Sequence, residues 1–254
     1  MIDLRFGDCL DVMEKLDYKS IDAIIVDLPY GETSNSKDKP IPFDKLWEQY
    51  DRILKDDGIV IMFAQGLFYV DAINSNRKLY KYDLVWDKEL KSGFLNAKKM
   101  PLRQHEQIII FYKKHKTYNP IMTIGEPLHS RGRKYLKRSP TNNNYNTIEN
   151  AKEDFAGNTL KYPTSIIRIQ KPHPSKTLHR TEKPVELLEW LVKTYTNEGD
   201  VILDNCMGSG TTGIACINTN RNFIGIDNDK DCYELTKQRI RGILKTQKKS
   251  LVGD

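Results

Sequence analysis

Val201-Ile202-Leu203-Asp204-Asn205-Cys206-Met207-Gly208-Ser209-Gly210-Thr211-Thr212-Gly213 reads as a short buried strand, a glycine turn and the start of a helix. Gly208, Gly210 and Gly213 spell G-x-G-x-x-G, a weak signal by spacing alone. Its context strengthens it. An apolar strand precedes it, a helical pattern over Thr211 to Asn218 follows, and Asp227 closes the next strand 17 residues past Gly210. Glycine lets the backbone approach a ligand closely, and a helix N-terminus offers N–H donors that lack intrahelical partners. Strand, turn and helix in this order belong to a doubly wound sheet.

Outward from that turn, strand-like runs occur at Ile2 to Phe6, Ile21 to Asp27, Ile59 to Ala64, Tyr82 to Trp86, Gln107 to Tyr112, Val201 to Asp204 and Phe223 to Asp227. Several are continuous β-branched apolar stretches, the pattern of strands covered on both faces. Helical stripes alternate with them. Phe43, Leu46, Trp47, Tyr50, Ile53 and Leu54 form one, with Gly58 as its expected stop; Val185, Leu188, Leu191, Val192 and Tyr195 form another. The alternation predicts an α/β fold with a doubly wound, mostly parallel, seven-stranded Rossmann-like sheet. Residues 115 to 178 break the rhythm with Asn, Pro, Thr and Lys, and weak alternation returns only at Ser165 to Gln170. A sheet domain from residues 1–114 and 179–254 is expected, with an irregular insertion at 115–178 and a frayed polar tail from Lys245 to Asp254.

Composition bounds the class. The 254 residues are 39% hydrophobic, enough for a sizeable core, and no run approaches the ~18 apolar residues of a membrane span. Met1-Ile2-Asp3-Leu4-Arg5-Phe6 lacks the basic-then-apolar pattern of a signal peptide, so a cytoplasmic setting without membrane contact is expected. Cys9, Cys206, Cys216 and Cys232 form no C-x-x-C pair and the five histidines add no ligand cluster, so reduced thiols and no metal are expected. The net charge of +6 is uneven. Between Lys113 and Pro140 stand Lys113, Lys114, Lys116, Arg131, Arg133, Lys134, Lys137 and Arg138 against one acid, Glu126. That window carries +7 and leaves the remainder near neutral. A charge run is usually a solvated face; this one falls where the sheet pattern breaks, which favours a polyanion-binding insertion.

At the glycine turn three readings compete: a structural tight turn, a dinucleotide site and an S-adenosylmethionine site. Asp204 favours the third, because a carboxylate ahead of the glycines suits a ligand amino group and would repel a pyrophosphate. Asp227 can accept hydrogen bonds from ribose hydroxyls. Asp8 and the Cys9 backbone are placed to meet an adenine edge, to cap the helix expected at Leu10 to Leu16, or both. Lys183, in Thr181-Glu182-Lys183-Pro184, is a cation at an unfavourable helix N-terminus. It either points into solvent or faces an anion such as a cofactor carboxylate.

A second motif, Asp27-Leu28-Pro29-Tyr30, ends the strand that begins at Ile21. Methylating an exocyclic amine is difficult because the nitrogen lone pair is delocalised into the ring. The Asp27 carboxylate and the Leu28 carbonyl are candidate acceptors for the amino hydrogens. Pro29 fixes the turn and lacks an N–H, and Tyr30 offers a ring face for stacking. A base must leave the duplex stack to reach them, at a cost of a few kcal/mol.

These residues resemble the amino-methylating DNA methyltransferases of the permuted β group, adenine-N6 or cytosine-N4 type. The resemblance runs over nearly the whole chain. Phe6-Gly7-Asp8-Cys9 is similar to the family's segment near the cofactor adenine, Asp27-Leu28-Pro29-Tyr30 to its D-P-P-Y, and Arg103-Gln104-His105-Glu106-Gln107-Ile108 to its R-x-H-E-x-I strand. His179-Arg180-Thr181-Glu182-Lys183-Pro184 then resembles H-x-T-E-K-P, Asp204 to Thr212 resembles D-P-F-x-G-S-G-T-T, and Phe223 to Asp227 resembles the ribose-binding strand.

The resemblance implies S-adenosylmethionine as cofactor, held by Asp8, Cys9, Asp27, Lys183, Asp204, Cys206, Met207, Gly208, Ser209, Gly210, Thr211, Asp227 and Asn228. It implies catalysis by Asp27, Leu28, Pro29 and Tyr30, and a target-recognition role for 115–178, with DNA contacts from Lys113, Arg131, Arg133, Lys134 and Arg138. A homodimer and a cognate restriction nuclease are the further partners it allows. Leu28 departs from the first proline of D-P-P-Y, at a position that presents its carbonyl. Asn205-Cys206-Met207 departs from P-F-x and removes an aromatic ring expected beside the cofactor. Asp27, where cytosine enzymes tend to carry serine, points to adenine-N6, with cytosine-N4 as the same-class alternative. A nicotinamide-dependent oxidoreductase would leave Asp27 to Tyr30 without a role, and the intact Asp27 and Asp204 oppose a purely DNA-binding module on a relic sheet.

Overall fold

The computed structural model describes residues 1–31, 38–114, 117–127, 157–172 and 182–252, with side chains through 247. The chain forms two compact units, one of Met1–Asn119 with Ser165–Asp254 and one of Pro120–Thr164. The larger unit begins with β1 (Ile2–Phe6), α1 (Cys9–Met13), β2 (Ile21–Val26), α2 (Phe43–Ile53), β3 (Leu54–Ala64), α3 (Gly66–Ser75), β4 (Tyr80–Ser92) and β5 (Arg103–Tyr112). The smaller unit holds β6 (Thr123–Ile124) and β7 (Leu160–Lys161), an antiparallel pair. The larger unit then resumes with β8 (Ile166–Arg168), α4 (Val185–Tyr195), β9 (Val201–Asp204), α5 (Thr211–Asn218), β10 (Asn222–Asp227) and α6 (Lys230–Val252).

Among the described residues the main sheet has the order β1-β10-β9-β2-β3-β5-β4-β8. Every neighbouring pair is parallel except those made by β5, which runs against both β3 and β4. The apolar runs explain this burial. In β2, Ile24 and Val26 join the core under α1, α2 and α3, while Ala23 and Ile25 join the core under α4 and α5. In β3, Val60, Met62 and Ala64 face the first core and Ile59, Ile61 and Phe63 the second. A strand buried on both faces has no polar side to spare, so its sequence is continuously apolar.

All seven strands read from the sequence are present, and β8 adds an eighth at the edge of β4. Residues 165–172 therefore run with the larger unit, and the compact-unit boundaries at Pro120 and Thr164 lie inside the expected span of 115–178. Gly58 does not stop α2. The helix ends where Leu54 turns extended, and Gly58 lies within β3, where an added Cβ would come 2.9 Å from the Asp22 carbonyl oxygen. The tail expected to fray is helical as far as Val252, as the C-terminal part of α6. No helix among the described residues is long and apolar enough to cross a membrane.

From β2 the chain crosses by α2 to β3 on one side; from β9 it crosses by α5 to β10 on the other. Strand order reverses between β2 and β9, so their carboxyl ends flank the crevice where a doubly wound sheet binds ligands.

Candidate active site

On the β9 side the glycine turn is held by its own carboxylates. Asp204 is 5% exposed; its Oδ1 accepts from the Cys206 amide at 3.1 Å and its Oδ2 from the Thr212 hydroxyl at 2.7 Å. Asp227, at the end of β10, accepts from the Gly208 amide and from the Asp229 amide, each at 2.8 Å. Gly210 lies at φ +75° with Thr236 Cγ2 2.4 Å from where a Cβ would stand, so both the turn and the packing of α6 require glycine. Gly208, at φ +50°, has no atom within 4 Å of that position, which leaves its backbone open to close approach. Met207 and Ser209 are buried within the turn, Thr211 begins α5, and Asn228 is exposed just past β10.

Burial pushes the Asp204 carboxyl up to about 7, partly offset by Thr212 and the Cys206 amide, with Asp27 and Asp227 raising it further. The Asp27 and Asp227 charges thus both act on Asp204 at the crevice. Beside them Asn205 Nδ2 donates to Cys206 Sγ at 3.7 Å, and the interaction of the Cys206 and Cys9 thiols lowers the Cys9 pKa and raises that of Cys206. Where an aromatic ring was expected the chain has this thiol pair, and the Tyr50 hydroxyl donates to Asn205 Oδ1 at 2.6 Å behind it. Asp8 caps α1, accepting from the Leu10 amide at 2.9 Å, and its residue remains exposed.

On the β2 side Asp27 is held by charge. Lys183 Nζ donates to its Oδ2 at 2.6 Å and the Tyr30 hydroxyl to its Oδ1 at 2.8 Å. Lys183 also meets Glu106 Oε2 at 3.2 Å and lies 4.9 Å from the Phe63 ring centroid; Lys88 meets Glu106 Oε1 at 3.2 Å. The anion that Lys183 faces is therefore the chain's own Asp27 and Glu106. Burial opposes the Lys183 charge, yet the two carboxylates outweigh it and hold its pKa above the usual lysine range. Burial likewise opposes the Glu106 charge, and Lys183 and Lys88 together bring its pKa below the usual value. Arg239 of α6 ties the two halves, donating to the Ser209 carbonyl and to Glu182, each at 2.6 Å.

Tyr30 stacks on Phe68 with centroids 4.6 Å apart and 19° between planes, so one face of its ring is already covered. Leu28 is buried behind it. Sequence reasoning assigned no role to Lys88 or Glu106. The signal existed: Leu84, Trp86 and Lys88 alternate inward along β4, and Glu106 is in phase with the buried Ile108 and Ile110 of β5. Lys113 is not brought to this crevice. It follows the carboxyl end of β5, which runs opposite to β2 and β9 and emerges at the other edge, near Asp56. Arg131, Arg133, Lys134 and Arg138 lie outside the described residues.

A mostly parallel, doubly wound sheet with a glycine turn and the carboxylates of Asp27, Asp204 and Asp227 at its switch point has the architecture of a ligand-binding α/β domain. The DNA methylase family of N6/N4 methyltransferases matches residues 21–238, and the chain belongs to that family. The type II methyltransferase M.HpaI of Haemophilus parainfluenzae is 28% identical, over 92% of this chain and 72% of its own length. The DNA adenine methyltransferase YhdJ of Escherichia coli (strain K12) is 28% identical, over 92% of this chain and 81% of its own. The crystal structure of an M1.HpyAVI-SAM complex shares the fold, with a TM-score of 0.61 at 23% identity, covering 94% of this chain and 100% of that one.

Proposed function

We propose that this methyltransferase is a site-specific DNA adenine-N6 enzyme that takes its methyl group from S-adenosylmethionine and acts on an adenine flipped out of the duplex. The observation that carries the reading is geometric: β2, β9 and β10 are neighbouring parallel strands, and Asp27, Asp204 and Asp227 stand at their carboxyl ends beside the crevice.

The residues present fit the cofactor. Asp204 is a buried carboxylate whose partners are an amide and a hydroxyl, which suits the ligand's amino group, and Gly208 leaves open backbone beside it. Asp227 and Asn228 would take the ribose, Asp8 and Cys9 the adenine edge, and Cys206, Met207, Ser209, Gly210 and Thr211 the remainder. Bound S-adenosylmethionine supplies an electrophilic methyl group on a positively charged sulfur. Asp27 accepts a hydrogen bond from the target amine; a carboxylate has about four lone-pair sites, so Tyr30 and Lys183 do not exhaust it. The Leu28 carbonyl is the second acceptor, and Pro29 sets its direction. As nitrogen attacks, positive charge develops on the amine, and the fixed Asp27 charge stabilises it. The face of Tyr30 away from Phe68 is left for the base.

The part of 115–178 that lies outside the main-sheet unit, Pro120–Thr164, is the proposed target-recognition region, with Arg131, Arg133, Lys134 and Arg138 on phosphates. Replacing Arg131, Arg133 and Lys134 with alanine is expected to flatten the slope of log affinity against log salt by about 3. An unchanged slope moves the DNA contact elsewhere. The proposed setting is cytoplasmic, and a cognate restriction nuclease is the partner that similarity to a type II methyltransferase suggests.

Asp27 and the adenine-specific relative favour adenine over cytosine. The deciding experiment incubates the protein with S-adenosylmethionine and unmethylated mixed-sequence DNA, then digests to nucleosides for mass spectrometry. N6-methyldeoxyadenosine is expected, and sequencing then maps the site; N4-methyldeoxycytidine would keep the mechanism and overturn the base.

A further inference from the structure

Leu95 is fully exposed at 100%, the highest value for any large hydrophobic side chain among the described residues, and Phe94 beside it is 70% exposed. Both sit on the turn that joins β4 to β5. The turn is a built structure. Gly93 starts it at φ +88°, the amides of Asn96, Ala97, Lys99 and Met100 bond back to carbonyls of Gly93, Phe94 and Asn96, and Ser92 Oγ donates to the Arg103 carbonyl at 3.2 Å. Its charge has one sign: from Lys91 to Arg103 stand Lys91, Lys98, Lys99 and Arg103, and no acid.

The hairpin rises from the catalytic edge. Ala64, the last residue of β3, pairs with Gln107, so β5 before Gln107 and β4 after Val85 run beyond the end of β3. Glu106 at the hairpin's base is one lysine from Asp27, with Lys183 contacting the two at 3.2 and 2.6 Å. Gln65, just past β3, donates to the His105 carbonyl at 2.9 Å and accepts from Arg103 at 3.4 Å. From Glu106 to Arg103, which pairs with Ser92 past a bulge in β4, the hairpin climbs roughly 10 Å at about 3.3 Å per residue.

Scattered exposed apolar side chains are ordinary. Two adjacent ones on a self-bonded turn, in a stretch whose only charges are cations and at the tip of a hairpin whose base shares Lys183 with Asp27, are not scattered. Resting on the reading of this site as a DNA methyltransferase, we propose that Phe94 and Leu95 form a wedge that enters the base stack of duplex DNA beside the target base. Lys91, Lys98, Lys99 and Arg103 contact the flanking phosphates. Apolar side chains inserted at a base step offset the stacking lost when a base leaves the duplex, and the cations make the approach favourable for a polyanion.

The test uses a duplex carrying the mapped site, with the target base either correctly paired or opposite an abasic position that removes most of the flipping cost. In Phe94→Ser/Leu95→Ser, kcat/KM on the paired duplex is expected to fall about tenfold or more, while the abasic duplex is methylated at the wild-type rate. Tyr18→Ser, which removes an exposed aromatic side chain from the loop before β2, is expected to keep wild-type activity on both. Equal activity of the double variant and wild type on the paired duplex overturns the wedge, as does an equal loss on both duplexes. A changed oligomeric state in place of a duplex-dependent loss assigns the tip to contact with a second copy and overturns it as well. If wild-type protein methylates neither duplex, the DNA-methylation reading itself fails, and the wedge falls with it.

Discussion

Asp204 and Asp227 are held by backbone amides and a hydroxyl, whereas Asp27, one strand away, is held by a lysine and a phenol. The cofactor side spends glycines and neutral donors to fix its carboxylates, and Asp204 stays a poor acid-former with its carboxyl near 7. The catalytic side spends charge: two lysines against two carboxylates, with Lys183, Lys88 and Glu106 nearly removed from water. On the proposed reading, a carboxylate meant to attract a cationic ligand is held by neutral donors, and one meant to orient a neutral amine is pinned by a cation from the start.

The contrast can be broken at several points. The largest effect falls on Asp27. Asp27→Ala should lower kcat about 10³-fold, the upper range for losing one fixed electrostatic contact, while equilibrium binding of S-adenosylmethionine stays near wild type. Turnover above a tenth of wild type would remove Asp27 from catalysis. Next is the charge network. Glu106→Gln strips the shared anion from Lys88 and Lys183 and is expected to cost about 3 kcal/mol in urea unfolding, with partial recovery when Lys88→Met is added. A loss under 1 kcal/mol would mean the network is not closed to water.

The cofactor side should respond to shape instead. Gly210→Ala drives a Cβ against Thr236 at a left-handed position and should cost about 2 kcal/mol, or roughly 4–8 °C in Tm. Gly208→Ala meets nothing and should cost about 1 kcal/mol, yet weaken cofactor binding. Similar Tm losses for the two would erase the distinction. The last effect, comparable in size to that of Gly208→Ala, is a pH dependence. Below about 7 Asp204 is protonated and neutral; above it the anion is available to a ligand ammonium. Affinity for S-adenosylmethionine should therefore rise as pH goes from 6 to 8, by up to about tenfold, and Asp204→Asn should flatten the curve. For folding the sign is opposite. A carboxyl raised from 3.8 to about 7 contributes stability at low pH that is lost as pH climbs through that window.

The sheet was legible because β2, β3, β5, β9 and β10 are buried on both faces and so are written as apolar runs. β8 was not, since three residues at an edge carry too little pattern to stand apart from a loop. At the site, Asp27, Asp204 and Asp227 were legible because each follows an apolar strand. Lys88 and Glu106 were not. A charged residue in phase with a buried row reads as a surface residue until a partner across the sheet is known, and the β4–β5 pairing lies outside any single window. Lys183 stood out as a cation at the wrong end of a helix. What balances it comes from Asp27 and Glu106, which sequence distance concealed. Lys113 belonged to a basic run by position, and only the reversed direction of β5 sent it to the far edge.

Ile2 pairs with Phe223, so the first strand of the sheet closes against the tenth. A ribosome adding about 5–20 residues per second needs roughly 10–40 s to travel between them. By the time Tyr112 has left the ribosome, the strands that carry Asp27, Phe63 and Glu106 are all available to pair. The strands that bring Asp204 and Asp227 to the crevice are still unmade. On the proposed reading, the residues that would hold the methyl donor are made after those that would hold the base, and a ribosome stalled before β9 leaves a chain with Asp27 made and neither Asp204 nor Asp227.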